Sequence, residues 1–244
     1  MKPSPVLAFI SVALYLLATM QDCLAEEGNT DKTEIKLTLG SYKYSGYSGT
    51  DLNIRARKTD TDYWFGAYTD HEFGNQERLG ADTTFQLTKV LQLQPSLQIA
   101  SRGLLAGSAN IQVGDIWFAY AGLGRTNLKP YFNLNFDPND AATYGIGHRT
   151  EGNQLYNLYV IADNRLGTHQ QDWHLTAKLP FNTQHLAIDL LYKHGNGDTG
   201  VITAWGYSAA WNWEKLFLRV TKDPHQNYST QDAWRIAAGI RYWD

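Results

Sequence analysis

Hydrophobic and polar residues alternate along most of the chain, and residues 128–137 show the pattern clearly. There, Leu128, Phe132, Leu134 and Phe136 fall on one face, and polar side chains fall on the other. A period of two predicts a β-strand with one apolar and one polar face. The predicted strands cover residues 33–44, 50–58, 62–69, 78–88, 91–101, 109–121, 128–136, 142–149, 153–162, 172–179, 184–193, 199–212, 215–222 and 231–243.

This pattern predicts about 14 strands, and 12 stay possible because the run at 109–121 is irregular. Within that run the apolar phase shifts after Gly114-Asp115, which indicates a β-bulge. Pro95 and Pro130 also lie inside strand-like runs. Because proline cannot donate to a sheet ladder, each needs an irregularity or a strand end.

The connections between the runs alternate between short and long. Short connections such as 58–61, 122–127 and 180–183 take turns with longer, more polar ones such as 102–108 and 163–171. Short periplasmic turns opposite longer outer loops are typical of transmembrane barrels. The sequence therefore predicts an all-β, up-and-down antiparallel β-barrel that spans the bacterial outer membrane, with both barrel termini periplasmic.

The first 25 residues have a different pattern, with Lys2, an apolar stretch at 6–20, and Cys23-Leu24-Ala25 before Glu26. A basic start, an apolar stretch and a small residue at the cut predict a cleaved secretory signal peptide. An uncleaved anchor helix is the alternative, although the stretch is short for a membrane span. We expect residues 1–25 to be the signal peptide and residues 26–244 to be the barrel.

Composition narrows the chemistry of the barrel. The single cysteine and both methionines lie in the first 25 residues, so the rest of the chain offers neither a disulfide nor a thiolate metal site. The formal net charge is −3, which gives no global basic field for nucleic acid. We expect no cofactor, no bound metal and no nucleic-acid partner.

If the apolar face of each strand meets lipid, the other face lines the lumen. Basic residues outnumber acidic residues on this predicted inner face, so the lumen is expected to attract small anions. The candidate pore-lining and solute-binding residues are Arg55, Arg57, Lys129, Tyr131, Asn133, Asn135, Asp137, Lys178, Arg219, Arg235 and Arg241.

Asn133, Asn135 and Asp137 lie on one face of the predicted strand, and two interpretations of this row stay open. Its oxygens suit a sugar or a cation, and they equally suit an Asx turn that stiffens the following loop. The acidic outer loops are likewise open to two readings, as divalent-cation bridges to lipopolysaccharide or as ordinary solvated loops.

The function is open among three classes. The first is a passive, anion-preferring channel, with the alternative that the charges pair across a plugged lumen. The second is a lipid-modifying barrel enzyme that uses histidines near the loops, although no Gly-x-Ser-x-Gly element is present. The third is a structural barrel. The candidate histidines are His71, His148, His169, His174 and His225.

The strand pattern and the basic inner face together resemble the small monomeric porins of about 12 to 14 strands. That resemblance implies an outer-membrane pore for anionic solutes, held in lipid and lipopolysaccharide. The last predicted strand, with Trp234, Ile236, Ile240 and Tyr242 on one face, resembles the terminal strand that the barrel assembly machinery recognises. The resemblance rests on architecture and lumen charge, and no family-specific motif accompanies it.

Overall fold

In a computed structural model of the chain, residues 33–127, 141–163 and 167–243 are described. They form β-strands joined by turns and loops. The strands are β1 Thr33–Tyr44, β2 Ser48–Lys58, β3 Thr61–Asp70, β4 Gly74–Thr83, β5 Phe85–Thr88, β6 Leu91–Ala100, β7 Leu104–Gly114, β8 Trp117–Thr126, β9 Ala142–Arg149, β10 Leu155–Asp163, β11 Gln170–Phe181, β12 Gln184–Gly197, β13 Gly200–Asn212, β14 Leu216–Asp223 and β15 Ala233–Trp243.

The sheet closes on itself because β1 pairs antiparallel with both β2 and β15. β4 and β5 are two halves of one wall strand, since both pair with β6. The wall therefore has 14 antiparallel strands. The ladder between the two halves and β6 is interrupted next to Pro95, which has no N–H to donate.

The prediction of an all-β antiparallel barrel of about 14 strands is confirmed. The signal peptide predicted at 1–25 lies outside the described residues and stays a prediction.

The two edges of the barrel carry different connections. We call the edge that holds Thr33 and Trp243 the terminal end, and the opposite edge the loop end. Connections at the terminal end span two to five residues, whereas the loop end includes the nine-residue connection 224–232. The predicted alternation of short and long connections is not strict, because the connection at 198–199 lies at the loop end and has only two residues.

The run at 109–121, predicted as one strand with a bulge, is two strands. β7 ends at Gly114 and β8 begins at Trp117, so Asp115 and Ile116 form a turn at the terminal end. Gly114 has a φ of 115°, and a Cβ there would lie 2.2 Å from the Trp117 carbonyl oxygen. Glycine is needed for that close approach, which explains why this turn resembles a bulge in sequence.

This turn changes the course of the chain beyond it. Residues 122–126, predicted as part of a tight turn, belong to β8, and Asn127 lies at the loop end, where its Nδ2 donates to the Gly103 carbonyl oxygen at 2.7 Å. β8 pairs directly with β9, so the described strands close the barrel without a strand from 128–136. The strand predicted there, with Pro130, lies outside the described residues.

The outer surface of the barrel is apolar. Large side chains such as Leu123, Val201 and Ile236 are 68%, 70% and 59% exposed, which would be anomalous in water and is ordinary against lipid. Outward aromatic residues lie toward both ends of the strands, as in the interfacial girdles of membrane barrels. They include Tyr63, Trp117, Tyr156, Phe181, Trp211 and Tyr242 toward the terminal end, and Trp173, Tyr192, Trp205 and Trp234 toward the loop end.

The described part of the chain contains no helix that is both long and apolar enough to cross a membrane.

Candidate functional site

The described residues enclose cavities in the interior of the barrel, and three of them bear on function. The central cavity, about 540 Å³, is lined by residues that include Tyr42, Asp189 and Arg219. The basic cavity, about 430 Å³, lies at the terminal end around Lys36 and Arg55. The amide cavity, about 380 Å³, lies against strands β6 to β10 and is rich in Gln and Asn. Lys178 lines both the central and the basic cavity, so these two are neighbours along the lumen.

Three basic side chains form a row across the wall of the basic cavity. Lys36 on β1 is directly opposite Arg55 on β2 and Arg241 on β15, and all three line the cavity. Like charges directly opposite each other destabilise a sheet. The aromatic ring of Phe217 offsets part of this, since Lys36 Nζ lies 4.2 Å and Arg241 Cζ lies 5.3 Å from its centroid.

Some of the interior cations are neutralised by carboxylates. Arg57 donates to both carboxylate oxygens of Asp62, the closest contact being 2.6 Å from Nη2 to Oδ2. Arg241 Nε lies 3.4 Å from Glu34 Oε1. Arg235 pairs with Asp51, whose side chain is fully buried. These pairs reduce the field that their arginines direct into the lumen.

Other interior cations have no carboxylate within 4.0 Å among the described residues. They are Lys36, Arg55, Arg78, Arg149, Lys178 and Arg219. Arg219 on β14 has Ala210 and Ala237 opposite it on the two neighbouring strands. Because alanine is small and apolar, neither of these two residues offers a charged or hydrogen-bonding group to the guanidinium group.

The interior also contains more carboxylates than the sequence pattern indicates. They are Glu34, Asp51, Asp62, Asp82, Asp163, Asp172, Asp189, Glu214 and Asp223. The predicted excess of basic over acidic side chains is therefore smaller for the whole lumen. Lys36, Arg55 and Lys178, which have no carboxylate partner in the described part of the chain, lie toward the terminal end, whereas Asp163, Asp172 and Asp223 lie near the loop end.

At the loop end, residues 224–232 fold over the central cavity. Lys193, buried on β12, pairs with Asp223 at 2.6 Å, and Tyr228 donates to Asp172 Oδ1 at 2.8 Å. Burial, with the carboxylate of Asp172 beside it, raises the pKa of Tyr228, so its hydroxyl remains a donor. The backbone turns sharply here, because residues 225, 227 and 228 all have positive φ. The sequence pattern gave no sign of it.

The structure places six of the predicted solute-binding residues. Arg55, Arg57, Lys178 and Arg241 line the basic cavity, and Lys178, Arg219 and Arg235 line the central cavity. The other five predicted residues lie outside the described residues, and the solute-binding role of all eleven stays a prediction. These five are Lys129, Tyr131, Asn133, Asn135 and Asp137.

The predicted histidines are dispersed. His174 is buried inside the barrel, with Nδ1 at 3.0 Å from Asp189 Oδ1 and its ring stacked on Tyr159. His148 faces outward and stacks on Trp117, with ring centroids 4.1 Å apart. His71, His169 and His225 lie in connections at the loop end. Within the described ranges, no three His, Cys, Asp or Glu side chains are grouped as a metal site.

Sequence reasoning missed an aromatic group on the inner wall. Phe118 and Tyr120 point inward from β8, and the ring of Tyr120 lies 6.0 Å from that of Tyr159 on β10. The assumption that apolar residues face lipid hides them. The sequence feature that could have indicated them is the pair Gly145 and Gly147 on β9, because these glycines leave space on the inner wall for large rings.

Comparison with solved structures finds porin barrels. The chain is similar to the outer-membrane protein Omp33 of Acinetobacter baumannii, with a TM-score of 0.54 and 6% identity over 88% of this chain and 100% of that one. It also matches the KdgM porin in complex with disordered oligogalacturonate, with a TM-score of 0.44 and 12% identity over 84% of this chain and 98% of that one.

The NanC porin matches with a TM-score of 0.45 and 9% identity, over 84% of this chain and 98% of that one. No protein-family profile and no curated protein sequence matches. At these identities the likeness concerns the fold. The chain therefore has the fold of an outer-membrane β-barrel, as in the outer-membrane protein Omp33.

Proposed function

We propose that this barrel is a passive outer-membrane channel that favours small anionic solutes. The observation that carries the proposal is the group of interior cations without a carboxylate, led by Arg55 and Arg219. A charge that lines a lumen surrounded by lipid attracts ions of opposite sign and repels those of the same sign. The carboxylates nearer the loop end favour modest rather than strict selectivity.

The orientation and the partners belong to the same proposal. We place the terminal end in the periplasm, because outer-membrane barrels turn their short connections that way. Outer-membrane lipid and lipopolysaccharide then surround the apolar exterior, and the barrel assembly machinery inserts the chain through β15. The signal peptide at residues 1–25 directs export.

Reversal potentials in planar bilayers test the selectivity. Under a tenfold KCl gradient, the wild-type barrel should give a potential of the sign that marks anion preference. One unit charge at 5 Å in water contributes about 0.8 kcal/mol, favourable for an anion and unfavourable for a cation, so it changes the ratio of their permeabilities by up to about sixteenfold before salt screening reduces it. Arg55→Gln with Arg219→Gln should therefore lower the ratio of anion to cation permeability by about fourfold to tenfold.

Two control variants sharpen this test. Arg57→Gln combined with Asp62→Asn removes a neutralised pair and leaves the net charge of the lumen unchanged, so it should have a smaller effect than Arg55→Gln. Lys43→Gln removes a charge from the exposed face of β1 and should leave the ratio unchanged. Absence of conductance steps from correctly folded barrel, or a reversal potential that the double variant does not change, would contradict the proposal.

A further inference from the structure

We propose that the amide cavity is a binding site for an uncharged saccharide ring. This inference shares with the proposed channel the requirement that solutes enter the lumen, but it concerns another wall and another chemistry. The cavity, about 380 Å³, falls within the size range of small-ligand sites, which combine aromatic surface with a few convergent polar groups.

Two tyrosines and a glycine supply the aromatic surface. Tyr120 on β8, Gly145 on β9 and Tyr159 on β10 lie in one row across the inner wall. A Cβ on Gly145 would lie 2.5 Å from Tyr159 Cβ, so the glycine is what lets the second tyrosine pack close to β9. The two rings, 6.0 Å apart with a tilt of 54°, line the cavity together. Such rings offer an apolar face to the C–H groups of a sugar.

Amide side chains on the adjacent strands β6 and β7 supply the polar groups of the same cavity, and Gln112 lies directly beside Tyr120 in the sheet. Gln92 Nε2 donates to Gln86 Oε1, and Gln94 Nε2 donates to Asp82 Oδ1, each at 2.8 Å. These bonds fix the amides while their carbonyl oxygens and second N–H groups retain further bonding capacity. Gln112 lines the cavity beside them. Amides both donate and accept, which matches the hydroxyl groups of a saccharide.

This wall carries little charge with which to hold an ion. Arg149 is the single charged side chain among the described residues that line the amide cavity. Its guanidinium group lies over the Phe118 ring, 4.8 Å from the centroid, and Nη1 donates to the Asp115 carbonyl oxygen at 3.4 Å. The lumen thus has a basic region on one side and, on another, an aromatic-amide region with one charged side chain. The second region suits a neutral polyhydroxylated ring.

Saturation-transfer difference NMR with maltotriose tests the site on the folded barrel in lauryldimethylamine oxide, a detergent without a sugar headgroup. We expect transfer to the sugar ring protons in the wild-type barrel. Tyr120→Leu and Gln112→Leu should each weaken maltotriose binding about tenfold, since each removes one kind of recognition and keeps a similar volume. Tyr144→Leu, a tyrosine change on the exposed lipid face of β9, is the matched control and should bind as wild type.

The outcomes separate this inference from the channel. If folded wild-type barrel gives no transfer, the saccharide site is wrong, and the anion preference is unaffected. If Tyr120→Leu and Gln112→Leu bind maltotriose as well as wild type, the sugar binds elsewhere and the inference is also wrong. If maltotriose binds as expected while the reversal potential shows no anion preference, the site stands and the proposed channel selectivity fails.

Discussion

The buried ion pair between Asp51 and Arg235 should contribute far more to barrel stability than the better-bonded pair between Arg57 and Asp62. Arg235 Nη2 lies 3.1 Å from Asp51 Oδ2, and the Asp51 side chain is fully buried. Arg57, by contrast, is 56% exposed although it makes several bonds to Asp62. The two pairs therefore test whether burial or the number of hydrogen bonds controls the contribution of an ion pair to the free energy of unfolding.

The expected magnitudes follow from that difference in exposure. Asp51→Asn leaves the largely buried guanidinium of Arg235 without its carboxylate, and breaking a buried pair in this way costs about 3 kcal/mol or more. Asp62→Asn leaves an arginine that water can solvate, so the cost should stay below about 1 kcal/mol. Combining Asp51→Asn with Arg235→Gln removes both charges and should recover about 2 kcal/mol of the loss from the single change.

Guanidinium unfolding of the barrel in lipid vesicles, followed by tryptophan fluorescence, measures these free energies. The slope of the transition should be the same in all variants, so that midpoints can be compared. If Asp51→Asn loses no more stability than Asp62→Asn, burial does not control the strength of these pairs and the reasoning is refuted.

Two further predictions concern close packing and the loop end. Gly40→Ala should destabilise the barrel by about 1 to 3 kcal/mol, because the added methyl group would lie 2.0 Å from Asp51 Oδ1, whereas Gly46→Ala, with no atom within 4 Å, should be neutral in the same unfolding assay. Tyr228→Phe removes the hydroxyl that donates to Asp172, so the fold of residues 224–232 should loosen by about 1 kcal/mol. Limited proteolysis should then cut this loop faster, and an unchanged cutting rate would contradict the role given to the hydroxyl.

Strand alternation is predictable from sequence where each face keeps one character. β15 is the clearest case, since Trp234, Ile236 and Ile240 face out while Arg235 and Arg241 face in, as predicted. The same rule fails at β8, where aromatic residues occupy the inner face. Because Phe118 and Tyr120 are aromatic, the alternation of apolar and polar residues does not indicate that they line a cavity.

The pairing of the lumen charges could not be predicted, because it depends on strand register. Asp51 and Arg235 are 184 residues apart in sequence and meet only because β1 pairs with both β2 and β15. Gly40, on β1 between them, leaves the space that the pair occupies. The fold of residues 224–232 was equally hidden, because it uses left-handed backbone at His225 and Tyr228, where glycine would be the expected residue.

The closure of β1 against β15 has a consequence for how the chain folds. All other wall strands pair with strands adjacent in sequence, so hairpins can form early and locally, and closure joins the two distant ends at one seam. The ion pairs Arg235–Asp51 and Arg241–Glu34 both join the last strand to the first two. Because a slip of two residues would keep every apolar face outward yet separate these charges, they specify the correct register of the final folding step.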